Sequence, residues 1–234
     1  NEKDLRRILP HLSWVRFSFQ ASNPKLYSKI HRVPEHQYHK ALENIKLAVK
    51  IKKELNLKVA LGLQQVLIDE NGPDVYETAK LAKSAGTDYY VIKPCHPHEL
   101  TEFNSVGNLV KKYKENLEKI ASLNDKSFRG IVRWNFLAES EKPRTYNTCL
   151  ALPFIIQILA DGTVSTCYPM ADDKKHHYGN LNEKSLEEII KSKKFQDVVK
   201  YVEKNVNVHK CMPTCRQHNA NKYLWNLKNK PIHF

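Results

Sequence analysis

Residues 149–167 read CLALPFIIQILADGTVSTC, with a cysteine at each end. Asp161-Gly162 lies between two short apolar runs, and this dipeptide is the strongest short-range signal for a hairpin turn. A hairpin folds its ends together, so it would make neighbours of Cys149 and Cys167. The stretch therefore predicts two short antiparallel strands that bring two distant thiols to one place.

Two further cysteines follow in the same part of the chain. Cys211 and Cys215 are separated by three residues, so one tight loop can supply both sulfurs, whereas Cys95 stands apart from these four. Four thiols at one point indicate a metal centre or two disulfides. The spacing leaves open an iron–sulfur cluster, a zinc ion, and unligated or redox-active cysteines. His218 follows Cys215 in a polar run, and we interpret it as a neighbour of the site or a surface residue.

The composition is that of a soluble globular protein with one large domain or two modest ones: 234 residues, 41% hydrophobic and 27% charged. No apolar run approaches the ~20 residues of a membrane helix, and no signal peptide is visible, which predicts a cytoplasmic protein with no membrane partner. That reducing compartment favours metal-bound or free thiols over disulfides. The net charge of +13 is spread over predicted helices, which argues against nucleic acid as the main partner.

The first part of the chain alternates strand and helix patterns. We predict strands over 14–19, 58–68, 88–93 and 129–137, and helices over 38–55, 73–85 and 106–123. Strands separated by helices imply parallel pairing with crossovers. In such folds ligands bind at the carboxyl ends of the strands. Those ends carry Ser18, Gln20, Gln64, Gln65, Asp69, Asn71, Lys93, Cys95, His96 and His98.

A polar stretch around 139–144 marks a boundary, so we predict domains over 1–138 and 139–234. The second domain should contain the hairpin and then a helix over 186–204. Ser185 followed by Glu188 gives that helix a capping box. The predicted class is α/β for the first domain and a small α+β arrangement for the second.

The cysteine segment resembles the auxiliary-cluster domain of radical S-adenosylmethionine (SAM) enzymes. The match is closest to the shortened "twitch" form of the SPASM domain, in which four cysteines hold one 4Fe–4S cluster. It rests on Cys149-x12-Gly162-x4-Cys167, Tyr-Gly-Asn-Leu at 178–181, Ser-Leu-Glu-Glu-Ile-Ile at 185–190, and Cys211-x3-Cys215. The first domain is similar to the later strands of a radical SAM partial (β/α)6 barrel over Trp14–Ser18, Tyr27–Arg32 and Gly86–Pro94.

The sequence also departs from that family. It has neither the C-x3-C-x2-C motif that binds the SAM-cleaving cluster nor the Gly-Gly-Glu segment that follows the second strand. We therefore interpret the chain as the C-terminal half of the barrel plus the auxiliary domain. Such a fragment is not expected to cleave SAM by itself.

The resemblance implies roles for individual residues. Cys149, Cys167, Cys211 and Cys215 would bind the auxiliary cluster. Ser18 would contact the methionine part of SAM, and Arg32 would pair with its carboxylate. The remaining implied contacts, to ribose, adenine or substrate, would be made by Gln64, Asn71 and Lys93. Cys95 is a candidate for a chemical role, because a pocket cysteine takes part in the reaction of some relatives.

The complete protein would cleave SAM and take a hydrogen atom from a sugar, an aminocyclitol or a peptide, with the auxiliary cluster accepting or relaying an electron. An external donor such as flavodoxin or ferredoxin would supply electrons. Two other classes stay open. One is a zinc-stapled basic module that binds nucleic acid, and the other is a non-catalytic subunit that keeps the fold for a partner.

Overall fold

The computed structural model describes residues 1–95, 107–135, 143–212 and 215–229. The chain forms two compact units, the first of Asn1–Cys95 and Phe103–Glu141, the second of His96–Glu102 and Lys142–Phe234. His96 and His98 lie outside the described residues. No helix in the described ranges is both long and apolar enough to cross a bilayer.

The first unit contains a four-stranded parallel sheet. Its strands are β1 (Trp14–Ser18), β2 (Ala60–Leu67), β3 (Tyr89–Pro94) and β4 (Arg129–Val132), and they are neighbours in that order. The accompanying helices are α1 (Glu2–Ile8), α2 (Pro24–His31), α3 (His36–Glu54), α4 (Val75–Ser84), α5 (Gly107–Lys112) and α6 (Lys114–Lys119). This architecture confirms the predicted parallel α/β class.

The two faces of the sheet differ, because successive side chains of a strand alternate between them. Leu63, Tyr90 and Ile92 lie on the face that forms the main core with residues of α3, α4 and α6. The other face carries Arg16 and Tyr89. The Arg16 Nε donates to the Tyr89 hydroxyl at 3.2 Å, and the guanidinium lies 5.2 Å from the centroid of the Trp14 ring. This second face is therefore polar and cationic at its centre.

Three sequence predictions for this unit need correction. The segment Tyr27–Arg32, compared above with a barrel strand, belongs to helix α2, since Asn23 caps its first turn and Pro24 favours a helix start. The helix predicted over 106–123 is split at Tyr113 into α5 and α6 and continues as a 3-10 turn, Ile120–Leu123. The strand predicted over 129–137 ends as β4 at Val132.

The second unit contains an antiparallel sheet of three strands. They are β5 (Gln157–Ile158), β6 (Thr163–Ser165) and β7 (His177–Asn180), in that order, and they are followed by α7 (Leu186–Lys191), α8 (Lys193–Asn205) and α9 (His218–Asn229). Gly162 has a φ of 83°, the left-handed conformation that a hairpin turn needs. The Asp161 carboxylate accepts from the Thr163 amide at 2.9 Å. The hairpin predicted from Asp161-Gly162 is thereby confirmed.

The helix predicted over 186–204 is two helices. The predicted capping box of Ser185 and Glu188 is present at the start of α7. Ser192 then adopts an extended conformation, with φ −71° and ψ 154°, and its hydroxyl accepts from the Phe195 amide at 3.1 Å. A single residue therefore ends α7 and caps α8.

We expect Ser192→Ala to lower the free energy of unfolding of the second unit by about 1 kcal/mol, the usual effect of losing an N-cap oxygen. Urea unfolding with helical circular dichroism measures this change. Ser84→Ala, at an exposed position of α4, is the matched control and should leave stability almost unchanged. Equal effects of the two substitutions would contradict the capping role.

Candidate metal centre

The second unit collects four cysteines from three separate segments. Cys149 precedes the hairpin, and Cys167 lies two residues beyond the end of β6. Cys211 follows a 3-10 turn, and Cys215 lies shortly before α9. All four are half-buried, and no described cysteine forms a disulfide. The loop residues Pro213 and Thr214 lie outside the described residues.

The electrostatics of the thiols show that they lie near one another. Burial raises the pKa of Cys149, Cys167 and Cys211, the last to about 11. The pKa of Cys211 is raised further by the charges of Cys167, Cys215 and Cys149. The pKa of Cys167 is raised further by the charges of Cys149 and Cys215. Such coupling requires short separations, so the hairpin and the C-terminal loop bring their sulfurs to one region.

The four thiols do not surround a single point. Within residues 1–95, 107–135, 143–212 and 215–229, no group of three His, Cys, Asp or Glu side chains is arranged to hold one metal ion. A zinc ion needs four ligand atoms, each within about 2.0–2.3 Å of it. The sulfurs of a four-iron cluster bind different irons and stand further apart. The donor set of four thiols suits an iron–sulfur cluster, whose usual ligands are cysteine thiolates.

Asn221 holds the Cys149 segment from helix α9. Its side chain is only 2% exposed. The amide Oδ1 accepts from the backbone N–H groups of Leu150 and Ala151 at 2.7 and 2.9 Å, while Nδ2 donates to the Cys149 sulfur at 3.7 Å. This one amide fixes the backbone after Cys149 and directs a donor at its sulfur.

Thr166 has a similar position beside Cys167. Its hydroxyl donates to the Cys167 sulfur at 3.9 Å and contacts His176 Nδ1 at 3.0 Å. The Thr166 amide also donates to the His176 carbonyl at 3.0 Å, which extends the pairing of β6 and β7 up to the cysteine. The sulfur of Cys167 is thus placed by the end of the sheet.

Arg144 holds the loop that begins at Cys211. Its Nη2 donates to the carbonyl oxygens of Cys211 and Met212, and Nη1 donates to the Tyr146 hydroxyl at 2.7 Å. Tyr146 is fully buried, and burial raises its pKa to about 12. Its hydroxyl contacts His218 Nδ1 at 3.1 Å, so His218 is a neighbour of the cysteine loop, as we interpreted it.

The strand ends of the first unit carry the other residues singled out by the sequence. Ser18 is exposed at the end of β1 and stands opposite Gln64 in the register of β1 and β2. Gln64 accepts from Arg16 Nη1 at 3.4 Å. Lys93 and Cys95 lie at the end of β3 and are half-buried. The roles predicted for these residues in cofactor or substrate binding stay predictions.

Asn71 and Arg32 are the remaining first-unit residues for which the resemblance implies a cofactor or substrate contact. Asn71 is fully buried, and its amide accepts from the Ile68 N–H and donates to the carbonyls of Gln20 and Val66. These bonds tie strand ends together and give no support to the predicted ligand contact. Arg32 ends helix α2 with a φ of 55°. Its predicted pairing with a carboxylate stays a prediction.

Comparison with known proteins agrees with this geometry. Residues 149–217 match the family model of SPASM, an iron–sulfur cluster-binding domain. This region contains all four cysteines and the second-unit sheet. No curated protein matches the chain.

Solved structures show a similar fold. Streptococcus suis SuiB bound to S-adenosylmethionine matches with a TM-score of 0.53 and 13% identity, over 77% of this chain and 42% of that one. Native anSMEcpe with bound AdoMet and Kp18Cys peptide matches with a TM-score of 0.55 and 13% identity, over 97% of this chain and 71% of that one. The chain spans less than half the length of SuiB. This likeness shows a shared fold.

Proposed function

We propose that this chain binds one auxiliary 4Fe–4S cluster. The premise is that residues 149–217 match the SPASM iron–sulfur cluster-binding domain and that the chain has the fold of the radical SAM enzymes. The proposed ligands are the thiolates of Cys149, Cys167, Cys211 and Cys215. The observation that carries the proposal is the presence in one unit of four half-buried thiols from three segments, with Asn221 and Thr166 donating to the sulfurs of Cys149 and Cys167.

The spacing of the cysteines in the sequence supports a cluster over zinc. A structural zinc site would draw the sulfurs around one ion, and the described residues contain no such arrangement. Apart from Cys211 and Cys215, the four cysteines also lack the close pairs typical of zinc sites. A nucleic-acid module held by zinc therefore gains no support from this geometry.

The residues around the thiols suit an electron-transfer centre. When bound, a cluster of this type supplies one-electron transfer at a potential set by burial and by hydrogen bonds to sulfur. Asn221 and Thr166 present donors to two of the sulfurs, and donors of this kind stabilise negative charge there. Arg144 keeps the backbone of the Cys211 loop in place and adds a positive charge that lowers the pKa of Cys211.

For the complete protein we propose a radical SAM oxidoreductase that modifies a sugar, an aminocyclitol or a peptide by hydrogen abstraction. Structures of two enzymes with this fold contain SAM, and one of those contains a peptide as well. Ser18 and Lys93 lie at the strand ends where this fold class binds ligands, and Gln64 lies within β2 opposite Ser18. Electrons would come from a flavodoxin or a ferredoxin, and the SAM-cleaving cluster from sequence other than these 234 residues.

Anaerobic purification followed by iron, sulfide and zinc analysis tests the cluster directly. We expect about four irons and four sulfides per auxiliary site, with visible charge-transfer absorption. Zinc in stoichiometric amount would contradict the proposal and favour the zinc alternative. A folded protein that binds no metal under these conditions would favour the non-catalytic subunit.

A further inference from the structure

The Tyr178 hydroxyl is a buried polar group without a partner. Tyr178 lies in β7 and is 1% exposed. Its ring stacks on Phe195 with centroids 4.4 Å apart, inside the core that Val164 and Ile189 complete. Among the residues that the structure describes, nothing forms a hydrogen bond with the hydroxyl.

An unpaired buried hydroxyl is costly and calls for an explanation. Phenylalanine would fill the same apolar space without leaving a donor unsatisfied. Buried polar groups in folded proteins almost always have a partner, and an exception often marks the place of a bound water, ion or cofactor. The position of the hydroxyl should therefore indicate which group it serves.

The surroundings of Tyr178 point to the cysteines. β7 pairs with β6 so that Gly179 stands opposite Val164, and Cys167 directly follows the last contacts of this pair. Burial raises the pKa of Tyr178, and the charges of Cys167 and Cys149 raise it further. The phenol thus lies within electrostatic reach of two thiols that come from opposite ends of the hairpin stretch.

Other donors near the thiols are already paired. Thr166 and Asn221 reach the cysteine sulfurs and also have backbone or side-chain partners. Tyr178 differs, because its ring is fixed by the core while its hydroxyl has no hydrogen-bond partner among the described residues. The expected partner of the Tyr178 hydroxyl is therefore the group that the thiols bind.

We propose that the Tyr178 hydroxyl donates a hydrogen bond to a sulfur of the bound cluster on its Cys149–Cys167 side and raises the reduction potential of that cluster. This inference rests on the proposed function. Reduction adds negative charge that is shared by the sulfurs, so an O–H donor stabilises the reduced cluster more than the oxidised one. Tyr178 is a positioning and tuning residue, and it takes no part in ligation.

The test compares Tyr178→Phe with Tyr223→Phe, the same change at a residue of α9 that is 67% exposed. Both are made in the full-length, cluster-loaded protein, and an EPR-monitored redox titration gives the midpoint potential of the auxiliary cluster. For Tyr178→Phe we expect unchanged iron content and a fall of about fivefold to tenfold in the equilibrium constant for reduction, where tenfold corresponds to 59 mV for one electron. Tyr223→Phe should match the wild type.

Fluorotyrosine placed at position 178 is a second variant that keeps both the ring and the hydroxyl. Its more acidic phenol is a stronger donor, so the potential should shift in the opposite direction. If both changes at Tyr178 leave the potential at the wild-type value while iron is retained, the inference is overturned and the proposed function stands. If the wild-type protein contains no auxiliary iron and sulfide, the proposed function itself is overturned.

Discussion

Replacing Cys167 by serine should remove about four irons and four sulfides per chain relative to the wild type, because one of the four proposed thiolate ligands is lost. Iron and sulfide assays on anaerobically purified protein measure this change. Cys167 lies at the end of β6, and its backbone is held by the pairing of Thr166 with His176. The serine variant should therefore keep the fold of the second unit while it loses the cluster.

Cys95→Ser is the matched control for this experiment. It makes the same substitution at a half-buried cysteine of the first unit, outside the group of four. We expect its auxiliary iron content to equal that of the wild type. A Cys167→Ser protein with undiminished iron, or a Cys95→Ser protein with the same loss, would show that the ligand set is misassigned.

The second large effect is expected at Asn221. Asn221→Ala removes the acceptor for the amides of Leu150 and Ala151 and the donor to the Cys149 sulfur. A buried N–H left without a partner costs about 1–3 kcal/mol, so two of them should lower the stability of this segment by about 2–6 kcal/mol. Hydrogen exchange resolved to residues 143–152 should show lost protection and measures the change locally.

Two companion variants separate the contributions of the Asn221 amide. Asn226→Ala, at an exposed position of the same helix, gains the same helix propensity and should leave exchange over 143–152 unchanged. Asn221→Asp keeps the acceptor oxygen, so amide protection should largely persist, but it loses the donor to sulfur and adds a negative charge. Unchanged protection in Asn221→Ala would contradict the role assigned to this residue.

Local sequence signals were sufficient for much of the fold. Asp161-Gly162 predicted the hairpin because the left-handed conformation of its glycine is specified by the dipeptide itself. Alternating strand and helix patterns predicted the parallel sheet of the first unit, because strands joined through a helix pair in parallel. The helix predicted over 186–204 was wrong at Ser192, because the periodicity of the apolar residues continues across the break. Strand β7 was missed, since His177-Tyr178-Gly179-Asn180 has no alternating apolar pattern.

The surroundings of the site depend on contacts between residues far apart in the sequence. Asn221 bonds to residues 70 and 71 positions away, and Arg144 reaches carbonyls 67 and 68 positions away. A lone asparagine or arginine in a polar segment gives no local signal of such a role. Tyr178 enters the sequence analysis only as the first residue of Tyr-Gly-Asn-Leu, and its hydroxyl without a partner among the described residues becomes visible only in the folded unit.

Asn71 shows the reverse case. The resemblance implies that Asn71 contacts ribose, adenine or substrate, and that role stays a prediction. In the structure its amide is fully used by backbone groups of Gln20, Val66 and Ile68. A polar residue after a strand can satisfy backbone groups or contact a ligand. The sequence alone does not distinguish these two roles.

Anomalous diffraction at the iron edge, on crystals of the anaerobically prepared protein, tests the central claim most directly. The account predicts one four-iron peak in the second unit, bonded to the sulfurs of Cys149, Cys167, Cys211 and Cys215. A single zinc peak among these sulfurs, or four thiols with no iron between them, would contradict it.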